Sequence, residues 1–168
     1  KLATFPGQKE WVIAKRATLV GQTNANAAIA LIEKSGLDLT DPSSAEVLAA
    51  YVENLSRVGR NDDAIASSRA AIQAHERFAP FHETHAAALE AAGNSASEVN
   101  RALERAIEIA PQRVPTLTAL GAQAGKSGRI DDALAFYDRA SEAAPDDPDP
   151  AWSAIELLAA RSTGSGID

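Results

Sequence analysis

Three histidines lie close together in the middle of the chain, and their spacing raises the hypothesis of a metal site. His82 and His85 would place two imidazoles on one face of a helix, with Glu83 between them. Metal-binding helices more often space two histidines at i and i+4, and neither His75 nor Glu76 supplies an evident third ligand. We therefore expect no metal site and ordinary helix-packing positions for these histidines.

The other residues that could carry chemistry lack the context that chemistry needs. Asp146, Asp147 and Asp149 are not followed by the central Gly and closing Glu of a calcium loop, so we expect an interhelix loop there. No Ser lies in a GxSxG motif, the chain has no Cys, and GNSASE and GKSGRI lack the spacing of a phosphate-binding loop. We therefore expect no catalytic residue, no metal and no cofactor, and hence no enzyme.

The composition favours helices packed against helices. The chain has 168 residues, of which 45% are hydrophobic, only 5% are aromatic and 37 are Ala. Such a core depends on small side chains between closely spaced backbones. The net charge of −7 has the wrong sign for a protein that neutralises nucleic-acid phosphates, and no apolar run is long enough to span a membrane. We expect neither nucleic acid as a partner nor a membrane span.

The cellular compartment is left open by the sequence. Because the chain has no Cys, the sequence does not indicate whether the protein works in a reducing or an oxidising compartment. Cytoplasm and periplasm are equally compatible with it. The chain begins at Lys1, contains no Met and opens without an apolar signal core, which favours a processed chain or a fragment.

Two residue types recur with one period. Gly59, Gly93 and Gly128 follow one another at intervals of 34 and 35 residues. Alanines repeat at 35 and 34 residues, namely Ala71, Ala106 and Ala140. Since each Gly separates two apolar stretches with helical spacing, the sequence predicts repeated helical hairpins.

Local signals mark where these helices begin and end. Asn61 is predicted to cap the second helix of the second hairpin, and Ser95 with Glu98 has the form of a capping box. Pro145 is predicted to stop the second helix of the fourth hairpin. By the same logic the stop in the second hairpin is Pro80, so its second helix is predicted to overrun by about one turn.

These residues resemble the tetratricopeptide repeat. The clearest copy carries the family signature at Leu117, Leu120, Gly121, Ala124, Gly128, Ala133, Tyr137, Ala140 and Pro145. Two more degenerate copies precede it, with Leu48, Tyr51, Leu55, Gly59, Ala64 and Ala71, and with His85, Leu89, Gly93, Leu103, Ala106 and Pro111. A first copy is indicated by Trp11, Ala27 and Leu31. The resemblance implies an all-α, right-handed superhelical array of about four antiparallel hairpins with a terminal capping helix.

The predicted boundaries cover nearly the whole chain. We expect a single domain over residues 1–161 and a flexible tail over 162–168. The repeats within the domain are predicted at 8–40, 45–79, 80–112 and 113–147, with the terminal helix at 150–161. Small residues are expected where helices approach closely, and bulky residues are expected to fill the seams between hairpins, namely Leu117, Leu120, Tyr137 and Trp152.

The resemblance also implies a concave groove lined by the first helix of each hairpin. The groove residues that it implies are Arg16, Glu46, Ala49, Glu53, Glu83, Ala87, Glu90, Thr118 and Ala122, with Val12, Leu19 and Ser56 beside them. This surface is small and acidic at its centre. It lacks the Lys, Asn and Arg set of family members that grip a C-terminal carboxylate, since Ala49, Glu53 and Ala122 stand at those positions.

The sequence therefore predicts a protein-interaction scaffold that binds a protein or peptide segment with some basic residues and has no catalytic activity. Two alternatives stay open. One is a regulatory or substrate-presenting segment of a larger enzyme or of an envelope or secretion assembly. The other is a scaffold that associates with itself. The Ala-rich composition resembles that of bacterial repeat proteins.

Overall fold

A computed structural model describes residues 8–164, with the backbone alone for residues 163 and 164. These residues form nine α-helices, one short 3-10 helix at Pro42–Ser44 and no strand, so the predicted all-α class is confirmed. The helices are α1 Gln8–Gly21, α2 Ala25–Ser35, α3 Ala45–Arg57, α4 Asn61–Ala74, α5 Ala79–Ala91, α6 Ala96–Ile109, α7 Val114–Lys126, α8 Ile130–Ala143 and α9 Asp149–Gly164. None of the helices in this range is long and apolar enough to cross a membrane.

Two compact units divide the chain, and the division falls within α6. The first contains the described residues up to Ala102, and the second contains those from Leu103 onward. In the first unit α1 packs against α2, α3 packs against α4, and α3 also lies against both α1 and α5. In the second unit α7 packs against α8, and α9 lies against both. The first helices of successive hairpins are therefore neighbours within each unit.

The glycines of the repeat period form the turns inside the hairpins. Gly59, Gly93 and Gly128 have φ angles of 77°, 76° and 74°, just after the ends of α3, α5 and α7. A side chain with a Cβ would strain this left-handed conformation, which explains the recurrence of glycine. The first hairpin turns differently, because Asn24 caps α2 by accepting a hydrogen bond of 2.9 Å from the Ala27 N–H.

One of the two predicted helix starts is confirmed and the other is wrong. At the start of α6, Ser95 Oγ accepts from the Glu98 N–H at 3.3 Å, and Glu98 Oε2 accepts from the Ser95 N–H at 3.2 Å, as in a capping box. Asn61 is not a cap, because α4 already begins at Asn61 and its side-chain oxygen accepts no hydrogen bond. An Arg60–Asp63 ion pair at 2.6 Å ties the preceding residue to the first turn instead.

The second helix of the second hairpin does not overrun, so that prediction is also wrong. It ends at Ala74, in step with Ile109 at the end of α6 and Ala143 at the end of α8. The error came from equating Pro80 with Pro145. Pro80 is the second residue of α5, where a helix needs no hydrogen bond from the backbone nitrogen and proline fits.

Small residues occupy the contacts between helices, as predicted. The fully buried alanines at 0% exposure include Ala64, Ala71, Ala106, Ala133 and Ala140. The same constraint acts inside the α7–α8 hairpin, where Gly121 faces the ring of Tyr137. A Cβ at Gly121 would lie 2.6 Å from that ring, so this contact requires glycine. Backbone proximity, not side-chain bulk, therefore sets the packing.

The bulky residues follow the prediction except in the last helix. The three that are buried are Leu117, Leu120 and Tyr137. Trp152 is 60% exposed, so its predicted burial is wrong. The helix α9 packs on α7 and α8 through Ala154 and Leu157, and this leaves Trp152 on the open side. Trp11, which was expected in the first copy, is likewise 56% exposed.

The register of the first hairpin is shifted by one residue from the predicted one. The buried residues of α2 are Ala28, Ile29 and Ile32, whereas the predicted Ala27 is exposed and Leu31 only partly buried. The connection over residues 36–44 contains its own 3-10 helix, so the spacing between the first two hairpins departs from the spacing of the others.

The last helix is longer than the predicted 150–161. It begins at Asp149 and continues to Gly164, so residues 162–164 are helical although a flexible tail was predicted there. Residues 1–7 and 165–168 lie outside the described residues, and with them the rest of the predicted tail. The single domain and its repeat boundaries stay predictions.

We predict that Ala133→Leu destabilises the chain by about 1–3 kcal/mol, because the extra atoms would have to enter a fully packed contact. Ala133 of α8 is 0% exposed, whereas Ala135 on the same helix is exposed. Ala135→Leu is therefore the matched control and should leave stability nearly unchanged. Urea unfolding followed by circular dichroism measures both, and equal midpoints for the two variants would contradict the packing described here.

Candidate functional site

A cleft of about 360 Å³ opens between α3 and α5 in the first unit. Its lining residues are Ala49, Val52, Glu53, Ser56 and Arg57 of α3 and Thr84, Ala87 and Ala91 of α5. Of the residues predicted to line the groove, Ala49, Glu53, Ser56 and Ala87 are brought together here. The volume is in the range of pockets that hold a ligand group or a few side chains of a partner. We refer to it as the α3–α5 cleft.

Small and polar side chains give the cleft its chemistry. Ala49, Ala87 and Ala91 leave room because each ends at its Cβ. Thr84 is buried and uses its hydroxyl internally, donating to the Pro80 carbonyl at 3.0 Å. Ser56 lines the cleft, and its hydroxyl oxygen, which is almost inaccessible to solvent, has no hydrogen-bond partner within the protein.

An ion pair lies at the edge of the cleft. Arg57 donates to Glu53 Oε1 at 2.6 Å, and its other terminal nitrogen donates to the Gly21 carbonyl at 2.9 Å. Arg57 thus connects α3 to the end of α1 and places a cation beside Glu53. Sequence reasoning missed Arg57, since it treated this surface as acidic. The i, i+4 spacing of Glu53 and Arg57 was the signal that could have revealed the pair.

The other predicted groove residues lie outside the α3–α5 cleft. Glu46 of α3 pairs with Lys15 of α1 at 3.5 Å, and Arg16 is exposed on α1. Glu83 is partly buried and Glu90 exposed, both on α5.

The rest of the predicted set falls at the two ends of the chain. Thr118 and Ala122 are partly buried on α7, in the second unit. Val12 and Leu19 are exposed on α1.

Both histidines of the predicted helix are held by hydrogen bonds inside the protein. The Nε2 atom of His82 lies 2.7 Å from the Glu76 carbonyl oxygen, and Nδ1 of His85 lies 2.9 Å from the Ser68 hydroxyl. Ser68 is fully buried, so this Ser–His pair is closed to a substrate. Over residues 8–164, no group of three or more His, Asp or Glu residues is placed to hold a metal ion.

His85 lies in an environment that disfavours its charged form. Burial, followed by the positive charge of Arg69 and by the neighbouring His82, lowers the pKa of His85 below the usual value of 6.5. The imidazole therefore packs between α4 and α5 as a neutral group near pH 7. This contact lies between two helices that the repeat pattern already places together.

The aspartates near the last helix lie in the loop between α8 and α9 and at the first residue of α9. The Asp149 N–H donates to Asp147 Oδ1 at 3.0 Å, and Asp149 is the first residue of α9. This arrangement agrees with the interhelix loop expected from the sequence, and a carboxylate in the first turn favours the helix electrostatically.

Comparison with known proteins locates the fold among solved structures. No model of a protein family matches the chain, and no curated protein matches it. The thermophilic protein TTC0263 of Thermus thermophilus, a tetratricopeptide protein, aligns with a TM-score of 0.75 at 22% identity, over 92% of this chain and 82% of its own. The first tetratricopeptide domain of human RPAP3 gives 0.61 at 16% identity, over 73% and 96%. The chain has the tetratricopeptide-repeat fold.

A third tetratricopeptide structure also aligns with the chain. YrrB, described as a tetratricopeptide protein with an unusual peptide-binding site, aligns with a TM-score of 0.54 at 17% identity, over 89% of this chain and 76% of its own. In the tetratricopeptide fold the first helices of successive hairpins lie side by side and form one surface. The α3–α5 cleft lies on that surface in the present chain.

We predict that acid destabilises the chain partly through His85. Above pH 6.5 the imidazole is neutral in both the folded and the unfolded chain, so its contribution to stability is complete. As the pH falls, the unfolded chain takes up the proton first, and stability is lost until the pH passes below the lowered pKa of folded His85. Urea midpoints at about pH 7.5 and about pH 5 should therefore differ less in His85→Gln than in the wild type.

The exposed His75 provides the control for this experiment. His75→Gln should keep the wild-type difference between the two pH values. An unchanged difference in His85→Gln would show that the imidazole between α4 and α5 does not contribute to the pH dependence.

Proposed function

We propose that this chain is a protein-interaction module that holds a segment of a partner protein in the α3–α5 cleft and catalyses no reaction. The observation that carries the proposal is the cleft itself, in which small side chains surround the unpartnered Ser56 hydroxyl. The cleft is built on two helices that contact each other directly, so it exists before a partner binds. A site that is already formed costs less ordering entropy on binding.

The size of the cleft defines the side chains that it accepts. Ala49 and Ala87 face the solvent on neighbouring helices, so a partner backbone or a short apolar side chain can approach between them. A polar atom of the partner that reaches Ser56 would satisfy the buried hydroxyl, and such a bond contributes about 0.5–1.5 kcal/mol. Tetratricopeptide structures with a described peptide-binding site, such as YrrB, support a segment of polypeptide as the ligand.

The charges around the cleft favour a partner with a basic residue. Glu53 is half exposed, and its ion pair with Arg57 is also half exposed, so the carboxylate still has lone pairs that a partner Lys or Arg can use. Exposed pairs of this kind contribute only about 0–1 kcal/mol, so replacing Arg57 by a partner cation at Glu53 costs little free energy. Glu90 is an exposed acidic residue of α5, and the sequence implied it as a residue of the same groove.

Selection from a random peptide library against the purified chain tests this proposal. We expect enriched peptides that combine a basic residue with a short apolar one. Filling the cleft with Ala49→Gln and Ala87→Gln should weaken their binding about tenfold or more, since the space for the partner is lost. Glu53→Lys with Glu90→Lys should weaken binding as well and should also reduce its dependence on salt. Isothermal calorimetry at two salt concentrations measures both effects.

Matched substitutions at exposed positions that do not line the cleft serve as controls. Ala66→Gln with Ala70→Gln adds the same bulk at exposed positions of α4, and Asp138→Lys with Glu142→Lys reverses two exposed charges of α8. Both control variants should bind the selected peptides as the wild type does. Peptides that bind the filled-cleft and wild-type chains equally would exclude the α3–α5 cleft as the binding site.

A further inference from the structure

The large hydrophobic side chains that remain exposed are confined to the first and last helices of the described residues. On α1 they are Trp11, Val12 and Leu19, with exposures of 56%, 39% and 68%. On α9 they are Trp152, Ile155 and Leu158, with exposures of 60%, 54% and 45%. Scattered apolar residues need no explanation, but two clusters on two helices form candidate contact surfaces.

The exposed apolar residues of α9 occupy helix positions that are buried on α7. Pro115 and Pro150, each the second residue of its helix, place α7 and α9 in register. In that register Trp152 corresponds to Leu117, which is 1% exposed. Ile155 corresponds in the same way to the buried Leu120, so two positions that are buried on α7 are exposed on α9.

Within the described residues, α9 is not followed by a hairpin turn like the one between α7 and α8. The helix α7 ends at Lys126 and the chain reverses at Gly128, whose φ is 74°. The corresponding residue of α9 is Thr163, and α9 is still helical at Gly164. The described part of the chain, up to residue 164, therefore does not fold back onto this face.

The charges beside these apolar residues of α9 limit which helix fits. In the register that aligns α9 with α7, Glu156 corresponds to Gly121. Gly121 is the residue that leaves space for the ring of Tyr137 in the α7–α8 hairpin. A covering helix therefore meets a carboxylate at this point and is favoured if it carries a cation there. Antiparallel pairing of two α9 helices about Ile155 would bring two Glu156 side chains to the same edge, where like charges repel.

The exposed face of α1 has the complementary chemistry. Trp11, Lys15 and Leu19 follow one another at i, i+4 and i+8, and Val12 widens this apolar stripe. Arg16 adds a cation beside the stripe, whereas the Lys15 ammonium pairs with Glu46 of α3 at 3.5 Å and the Lys15 methylene groups can cover apolar surface. We propose that α1 of one copy of this chain packs against α9 of another copy, so that copies associate head to tail.

Head-to-tail contact uses two different surfaces of each copy, and this makes the proposal testable by mixing. Ile155→Glu with Leu158→Glu blocks α9, and Val12→Glu with Leu19→Glu blocks α1, in both cases at exposed positions. The mass of the wild-type full chain, measured by sedimentation or light scattering over about a thousandfold range of concentration, should rise with concentration. Each blocked variant alone should stay monomeric, whereas an equimolar mixture should form dimers and nothing larger, since only one intact pair of surfaces remains.

Charge reversal provides a second readout that leaves the apolar residues in place. Arg16→Glu and Glu156→Arg should each raise the dissociation constant about tenfold, and mixing the two variants should restore at least part of the association at their common interface. Ala135→Glu, at an exposed position of α8, is the control and should associate as the wild type does. Thermal unfolding followed by circular dichroism verifies that every variant is folded.

Three results would overturn the proposal. The first is a wild-type chain that stays monomeric at every concentration. The second is an α1-blocked variant that still dimerises alone, because that places two α9 faces against each other. The third is a mass that rises equally in the wild type and in both blocked variants, because the contact then lies elsewhere.

Discussion

Two helices can lie close together only where neither places a large side chain between their backbones, and this constraint governs the whole chain. It is met by alanines at 0% exposure along the hairpins and by Gly121 against the Tyr137 ring. Because each contact joins neighbouring helices, stability is distributed along the array instead of being concentrated in one central core. The low aromatic content follows directly, since bulky rings have few positions that they can occupy.

The candidate site is another result of the same constraint. Alanines that would serve as packing residues inside a hairpin lie at the surface on α3 and α5, where they leave a space instead of filling one. Polar groups then lie at that space, with the Ser56 hydroxyl buried in its wall and the Glu53–Arg57 pair half exposed at its edge. The histidines differ from these groove residues, because His82 and His85 pack inside the protein and each has a ring nitrogen in an internal hydrogen bond.

The features that depend on local backbone geometry could be predicted from the sequence. Gly59, Gly93 and Gly128 recur because each must adopt positive φ, and Ser95 with Glu98 forms a cap from side chains only three residues apart. Such signals need no knowledge of distant residues. In the same way, four of the eight residues that line the α3–α5 cleft were implied by the position of their helices in the repeat, namely Ala49, Glu53, Ser56 and Ala87.

The features that depend on tertiary context could not be predicted. Pro80 looks like a helix stop but begins α5, since proline is compatible with both positions. Trp152 looks like a core residue, yet its burial depends on a covering helix that the described chain does not supply. Arg57 was missed because its link to the Gly21 carbonyl joins two helices that are distant in sequence. In each case the residue type allows two outcomes, and only the neighbouring element decides between them.

The placement of the two tryptophans has a consequence for how the chain can be observed. Trp11 belongs to the first unit and Trp152 to the second, and both indole rings are largely in water in the folded state. Their fluorescence therefore responds only weakly to the loss of the alanine contacts on unfolding, because both rings are already more than half exposed in the folded state. It is instead a natural optical reporter of the two terminal helices, and it shifts toward shorter wavelength when another surface covers either of them.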